Sequence, residues 1–455
     1  MSIGSGRQAQ YPADLKSKTM TRTLLILIFA SSTFLAKAQL QSGPMLGYAE
    51  MREVLLWVQT TQPAVVQFVY WDQEEPNVRY RTEEVQTLEH TAFTARCLAN
   101  QVEPGKEYAY ELLINGEKIS LDYPTTFATP ELWQWRTDPP SFTMALGSCY
   151  YANEPVYDRP GTPYGGDYQI FTSIYEKQPD VMLWLGDNVY LREADWYSRT
   201  GIMHRYTHTR SLPELQPLLA STHHYAIWDD HDFGPNNSDR SFIHKDVTLE
   251  AFDLFWGNPT TGLPGHKGIT TFFQWADIDF FLLDDRYFRT PNNRKTGERT
   301  LLGEAQLEWI IDALVSSNAP FKMVAIGGQV LNTAQRFETY NNLFPEERQY
   351  LLRRIEEEGV KNVVFLTGDR HHTELSRYEN RNGHLIYDWT VSPLTSGAAS
   401  RVTETNLLRV DGTLVTQRNF GMLQVSGPRN QRTLTLTVYD SEGEELWTRT
   451  IEQQD

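Results

Sequence analysis

Cysteine is scarce in this chain of 455 residues. Cys97 and Cys149 are too few for a disulfide scaffold, and no Cys-x-x-Cys pair offers a structural zinc site. Basic charge is scarce too. Lysine and arginine number 41 against 58 acidic residues, a formal charge of −17, and this argues against a general nucleic-acid binder, which needs concentrated Lys and Arg to neutralise phosphate. No apolar run reaches the roughly 20 residues of a membrane-spanning helix. The Gly-x-Ser-x-Gly elbow, the His-Glu-x-x-His helix, the Walker loop, the dinucleotide-binding Gly-x-Gly-x-x-Gly and the EF-hand loop are all missing, so the best-marked hydrolase, nucleotide-binding and calcium-sensor classes fall away. Repeats and low-complexity blocks are missing as well, while aromatic residues make up 12%. The chain is therefore a folded globular protein whose stability comes from burial.

What is present begins with a leader. Lys16, Lys18 and Arg22 precede an apolar stretch from Leu24 to about Leu35 that closes in Ala36-Lys37-Ala38. Residues 1–38 read as a secretory signal peptide cleaved before Gln39, with Met20 as an alternative start. The expected mature protein is exported, periplasmic or extracellular, with no transmembrane segment after cleavage. Residues 43–129 then alternate short β-type runs (Val54–Gln59, Val65–Tyr70, Ala92–Leu98, Tyr108–Ile114) with turn pairs at Pro104-Gly105 and Asn115-Gly116. This pattern predicts a small all-β domain of immunoglobulin or fibronectin type, a passive spacer, followed by a linker ending at Pro139-Pro140.

From residue 140 to 455 apolar strands alternate with longer, partly helical segments, the pattern of an α/β fold. Expected strands are Phe142–Leu146, Val181–Leu185, Tyr225–Trp228, Phe280–Leu283, Phe321–Ile326 and Val363–Thr367; expected helices are Tyr168–Lys177, Leu249–Phe255, Glu304–Ser316 and Glu346–Glu358. Several strands run straight into polar residues: Cys149, Asp187, Asp229-Asp230-His231-Asp232, Asp284-Asp285-Arg286 and Asp369-Arg370-His371-His372. Residues beyond the carboxyl ends of parallel strands converge on one edge of a sheet. A lone Asp there is an ordinary turn residue. Carboxylates, imidazoles and a thiol gathered together are metal ligands, and two close cations need a carboxylate between them, so the reading that uses all these clusters is a dinuclear metal hydrolase.

Leu146-Gly147-Ser148-Cys149, Leu185-Gly186-Asp187-Asn188-Val189-Tyr190, Trp228-Asp229-Asp230-His231-Asp232-Phe233-Gly234 and Thr367-Gly368-Asp369-Arg370-His371 together resemble the alkaline phosphatase D family of metallophosphoesterases over about residues 140–400. The resemblance implies an α/β (α+β) metallophosphatase-type β-sandwich core flanked by helices, in place of a doubly wound sheet. It implies hydrolysis of phosphodiesters or phosphomonoesters by direct attack of metal-activated water, with a phosphoester as partner and no sequence-specific nucleic acid. The implied metal ligands are Cys149, Asp187 as the bridge, Tyr190, Asp230, Asn236 or Asn237, Asp369 and His371, with His372 outside. The implied metals are Fe3+ at the thiolate and phenolate and Ca2+ beside it, with Zn2+, Mn2+ or Mg2+ as alternatives. His231 is expected to face the phosphate with Asp232 holding its ring, and Arg286 to orient the phosphate. Asp229 would stand behind Asp230, although the two are hard to separate in sequence. Competing readings are a Cys97–Cys149 disulfide and, for the whole chain, a non-catalytic glycan- or partner-binding protein on the same fold.

Overall fold

The strands Val181–Leu185 and Val363–Thr367 are buried at every position, as parallel strands covered on both faces must be. In the computed structural model, which describes residues 39–454, they lie in two different sheets rather than in one. The expected signal peptide falls outside the described residues. The first sheet has nine strands, in the order Glu445–Glu452, Thr433–Asp440, Asn419–Ser426, Phe142–Gly147, Val181–Leu185, His223–Ile227, Leu40–Glu50, Glu53–Thr60, Thr94–Ala99, and its three central members Phe142–Gly147, Val181–Leu185 and His223–Ile227 are parallel. The second has six, Thr271–Trp275, Ile278–Leu282, Lys322–Ala325, Val363–Thr367, Leu385–Thr390, Glu374–Glu379, with four parallel neighbours in its middle.

These two sheets pack face to face through Phe142, Met144, Phe280, Met323 and Leu366, and Phe273 stacks on Tyr225 with ring centroids 3.7 Å apart. Helices Gln169–Glu176, Arg199–Arg210 and Lys245–Phe255 place Ile174, Tyr206 and Phe255 in the core of the first sheet. Helices Glu304–Ser316 and Pro345–Glu357 seat Ile310, Leu314, Leu351 and Ile355 against Phe281, Val324 and Phe365 of the second. The architecture is the helix-flanked β-sandwich that the resemblance implies, and the last three strands form a meander whose final hairpin turns at Glu442-Gly443.

An all-β region precedes this core, but it is not a detached module. A strand the sequence pattern did not mark, Leu40–Glu50, runs parallel to His223–Ile227 through Leu46 and His223 and carries Glu53–Thr60 and Thr94–Ala99 with it. Those three strands face a small sheet built on Val65–Asp72 and Glu107–Ile114, and Leu56, Phe68, Tyr70, Tyr110 and Phe127 fill the space between. Cys97 lies buried in that core as a free thiol, and Cys149 is free as well, so the disulfide alternative is not formed.

The Leu40–Glu50 strand pairs with His223–Ile227 at a single register position, which leaves the Ala226 peptide beyond the reach of a strand partner on that side. Asn258 takes the strand's place. Its Oδ1 accepts from the Ala226 N–H at 3.0 Å, and its Nδ2 donates to the Ala226 carbonyl at 2.8 Å, all within the buried core. Asn258→Ala leaves both backbone groups unsatisfied and is expected to destabilise the protein by about 2–4 kcal/mol, at roughly 1–3 kcal/mol per orphaned group. Chemical denaturation checks this; a loss under about 1 kcal/mol would mean that water replaces the amide.

Candidate metal centre

Strands from both sheets end at one edge of the sandwich, and the turns that follow deliver the polar clusters. The Gly-Asp pairs are a packing requirement. Gly186 has φ +90°, and a Cβ there would sit 2.8 Å from the Cβ of Asp229, while a Cβ on Gly368 would meet the Leu185 carbonyl at 2.5 Å. Only glycines let these turns approach this closely, Gly186 within the first sheet and Gly368 across from the second. Cys149, Asp187, Asp369 and His371 themselves adopt left-handed backbone, with φ of 59°, 53°, 63° and 55°. Each costs on the order of 1 kcal/mol for a non-glycine residue, so the surrounding hydrogen bonds must hold them. The Cys149 N–H donates to the Gly186 carbonyl at 3.1 Å and the Tyr150 N–H to the Asp187 carbonyl at 2.8 Å.

Two sets of ligand atoms lie within 4.8 Å of one another: Cys149, Asp187 and His371 form one, and Asp187, Asp230 and His231 the other. Asp187 belongs to both. Its Oδ2 faces the Cys149 thiol at 3.7 Å and accepts from the Tyr190 hydroxyl at 3.2 Å, while its Oδ1 accepts from the His231 N–H at 3.1 Å. The Tyr190 oxygen is also 3.3 Å from His371 Nε2, so the phenol stands at the first cluster. Ser392 donates to the Cys149 sulfur at 3.2 Å.

Charge in this cluster is one-sided. Burial, then the charges of Asp230 and Cys149, push Asp187 well above the ordinary carboxylate range. Burial opposes ionisation of Asp230 also, but His231, Arg286 and the Asn237 N–H outweigh it and hold Asp230 below that range. The two carboxylates thus divide one negative charge between them. Burial pushes the Cys149 thiol up to about 11, lifts the Tyr190 phenol well above 10, and raises Asp369. Among the described residues, Asp230 Oδ1 and His231 Nδ1 are buried without a hydrogen-bond partner. Orphaned acceptors beside acids that cannot all ionise are the chemistry that cations would complete, so the donor set fits two metal ions.

The other expected residues fall around these clusters. Asp369 is buried beside them, outside both sets, and lines a cavity of about 540 Å³ with Arg370, Asn236, Asn237 and His372. The Asn237 N–H is committed to Asp230, and both asparagine side chains stand at the cavity. His371 is in the first set; His372 is buried with Nδ1 on the Arg370 carbonyl at 3.0 Å. A second cavity, of about 680 Å³, opens on the other side, walled by Tyr151, Tyr164, Tyr190, Trp196 and His231, with Arg159 and Arg192.

Two expected roles change. Asp232 does not hold the His231 ring: its Oδ1 accepts from the Asn188 and Val189 N–H groups at 3.0 and 3.1 Å, and its Oδ2 from the Asp229 N–H at 3.0 Å. Asp229 and Asp232 form a reciprocal cap on the one-turn helix Asp230–Phe233, and the Asp-x-x-Asp spacing was the sequence signal for it. The His231 ring instead stacks on Tyr190, with centroids 4.3 Å apart. Arg286 does not reach a phosphate. It is fully buried, paired with Asp229 and, at 2.8 Å, with Glu338, because two carboxylates buried there require a cation. Glu338, which also takes Arg289 at 3.0 Å, and Tyr164, whose hydroxyl is 3.2 Å from His371 Nδ1, were missed: each stands in a long loop with no motif around it.

A model of a family described as PhoD-like phosphatase matches residues 144–431, and a domain of unknown function, DUF7800, matches residues 37–132. Alkaline phosphatase D of Bacillus subtilis (strain 168) is 24% identical over 346 residues; the match takes in 65% of this chain and 55% of that protein, so this chain spans about half the length of its curated relative. A solved structure of PhoD superposes with a TM-score of 0.71 at 17% identity, covering 90% of this chain and 92% of that one. The purple acid phosphatase PPD1 from yellow lupin (Lupinus luteus) seeds gives 0.65 at 14% identity, covering 90% and 74%. At those identities the likeness is one of fold.

The one-sided charge has a measurable consequence. A carboxyl whose pKa rises on folding adds stability at low pH and loses it as pH rises through the folded value, so in chelator the contribution of Asp187 grows as pH falls from 8 toward 5, against the opposite contribution of the buried histidines whose pKa values are lowered. Asp187→Asn removes the carboxyl that burial forces to stay protonated. In chelator it is expected to be more stable than the parent by about 1 kcal/mol or more at pH 8, with a flatter pH dependence in thermal denaturation. A variant less stable than the parent at every pH would mean that the ionised carboxylate is already compensated.

Proposed function

The chain belongs to the PhoD-like phosphatase family, and on that premise we propose that it is an exported, metal-dependent phosphoesterase hydrolysing phosphodiesters or phosphomonoesters. The observation that carries this reading is the place of Asp187 in both ligand clusters: one carboxylate set to bridge two cations about one reacting phosphorus. The cluster of Cys149, Asp187 and His371, with Tyr190 beside it, pairs a thiol and a phenol with harder donors, a set suited to Fe3+. The cluster of Asp187, Asp230 and His231, with Asn236, Asn237 and Asp369 at hand, is richer in oxygen and suits Ca2+ or another hard divalent ion. Bound ions would supply an activated water and offset charge on the phosphoryl oxygens.

The chain's own residues do the rest. Asp187 and Asp230 fix the spacing of the two charges, and the Asp232 carboxylate stitches the two turns that carry them. Arg286 holds Asp229 and Glu338 away from the ligands. His231 lies between the clusters and the larger cavity, and burial holds its imidazole below the ordinary range, so the neutral ring would face the phosphoryl group as a hydrogen-bonding partner. Arg159 and Arg192 line that cavity and share Glu193 as their acidic partner, at 3.4 and 3.1 Å, which offsets locally the repulsion that a chain of formal charge −17 offers an anionic substrate. No covalent phosphoryl-enzyme is needed when a metal-activated water is the nucleophile.

The test is release of nitrophenolate from bis-p-nitrophenyl phosphate by metal-loaded protein. Release is expected to stop in chelator and return with added Fe3+ and Ca2+, and Asp187→Asn is expected to cut kcat/KM at least about 1,000-fold with its circular dichroism unchanged. Activity indifferent to chelator, or retained in Asp187→Asn, would refute the proposal.

A further inference from the structure

A third cavity, of about 520 Å³, lies at the other end of the strands. It is bounded by the turn carrying Trp133, Gln134 and Trp135, by Phe272 and Gln274 of the strand Thr271–Trp275, by residues 316–320 ahead of the strand Lys322–Ala325, and by Arg429 and Asn430 in a hairpin turn. Those are the amino ends of the parallel strands whose carboxyl ends carry the metal centre. Its size falls within the roughly 300–1,000 Å³ of small-ligand sites.

Its lining has a distinct chemistry. Trp135 is 93% exposed, the most exposed large apolar side chain described, and is held by a left-handed backbone with φ +64°. Phe272 is 42% exposed, and Trp133 lies under the Arg429 guanidinium at 5.2 Å. A tryptophan offered almost entirely to water, on backbone that is itself unfavourable, contributes nothing to the core and costs stability unless it is used. Between the rings stand amides and hydroxyls: Gln134, Gln274, Asn318 and Asn430. Gln134 Oε1 is buried and has no hydrogen-bond partner among the described residues.

Asp277 pairs with Arg432 at 3.1 Å, and Asp279 accepts from the neutral donors Gln274 at 2.7 Å and Ser317 at 2.5 Å. The two remaining charges of the lining, Asp279 and Arg429, are opposite in sign, so the cavity carries no net charge to select an ion. Aromatic faces for C–H surfaces, planar amides for hydroxyls and balanced charge together describe the needs of a neutral sugar ring, and they do not resemble the contiguous apolar core of a protein interface.

We propose that this cavity binds a neutral oligosaccharide of hexopyranose units, one ring lying on Trp135 and its hydroxyls meeting Gln134 and Asn318. The site is independent of the metal centre and would keep the enzyme on a glycan-bearing surface while the opposite edge works. Saturation-transfer NMR of the whole protein with cellohexaose and with chitohexaose tests this. Transfer to ring protons of at least one of them is expected. Trp135→Ala and Gln134→Ala should each weaken it at least tenfold with thermal stability and bis-p-nitrophenyl phosphate turnover unchanged, and Asp187→Asn should leave it intact. No transfer from either sugar, or transfer that survives Trp135→Ala, overturns the proposal. So does Trp135-dependent self-association in sedimentation without sugar transfer, which would make the face a protein interface.

Discussion

The edge of this sandwich is organised around buried negative charge that its own protein groups cannot neutralise. Asp187, Asp230, Asp369, the Cys149 thiol and the Tyr190 phenol converge, while the buried guanidinium of Arg286 is spent on Asp229 and Glu338 and that of Arg370 on Glu404. Every other feature of the centre follows from bringing those acids together. The glycines that let the turns touch, the four residues of the centre in left-handed backbone and the N–H groups aimed at Asp187 and Asp232 are the cost of it in conformational terms. Such an arrangement is tolerable because a cation converts each repulsion into an attraction.

Arg286 shows how support and chemistry divide. Its planar fork would suit a phosphate, but at full burial the guanidinium is worth more against two carboxylates that would otherwise sit unpaired or wander toward the metals. Asp284 next to it is equally structural, capping the Arg286 and Tyr287 N–H groups at 2.9 Å and receiving the Trp228 indole at 2.9 Å. The acidic run at residues 284–285 thus frames the site from behind.

Much of this was legible in the sequence because strand and helix patterns are local. Val181–Leu185, Val363–Thr367 and Glu304–Ser316 agree with their expected bounds, and the polar residues after the strands do meet at one edge. The division of strands between two sheets was not legible from periodicity, since a buried parallel strand reads the same in either. Leu40–Glu50 was missed because Gly43, Pro44 and Gly47 break its β character, and its pairing partner lies far along the chain. Asp232 and Arg286 were recognised as part of the site but given the wrong contacts: sequence shows that a charged residue is near, whereas burial decides which neighbour claims it. Glu338 and Tyr164 act through loop geometry alone, which leaves no periodic trace.

The single nine-stranded sheet also sets an order of events in folding. Gly47 meets His223 across 176 residues of chain, and on the sheet's other flank Asn419–Ser426 closes on Phe142–Gly147. Both ends of the polypeptide are therefore edge material that must wait for the middle, and the first strands made stay unpaired on one side until His223–Ile227 exists. Long-range pairing of this kind is slow and leaves exposed strand edges while it lasts. A chain built this way gains from being kept unfolded until its synthesis is complete.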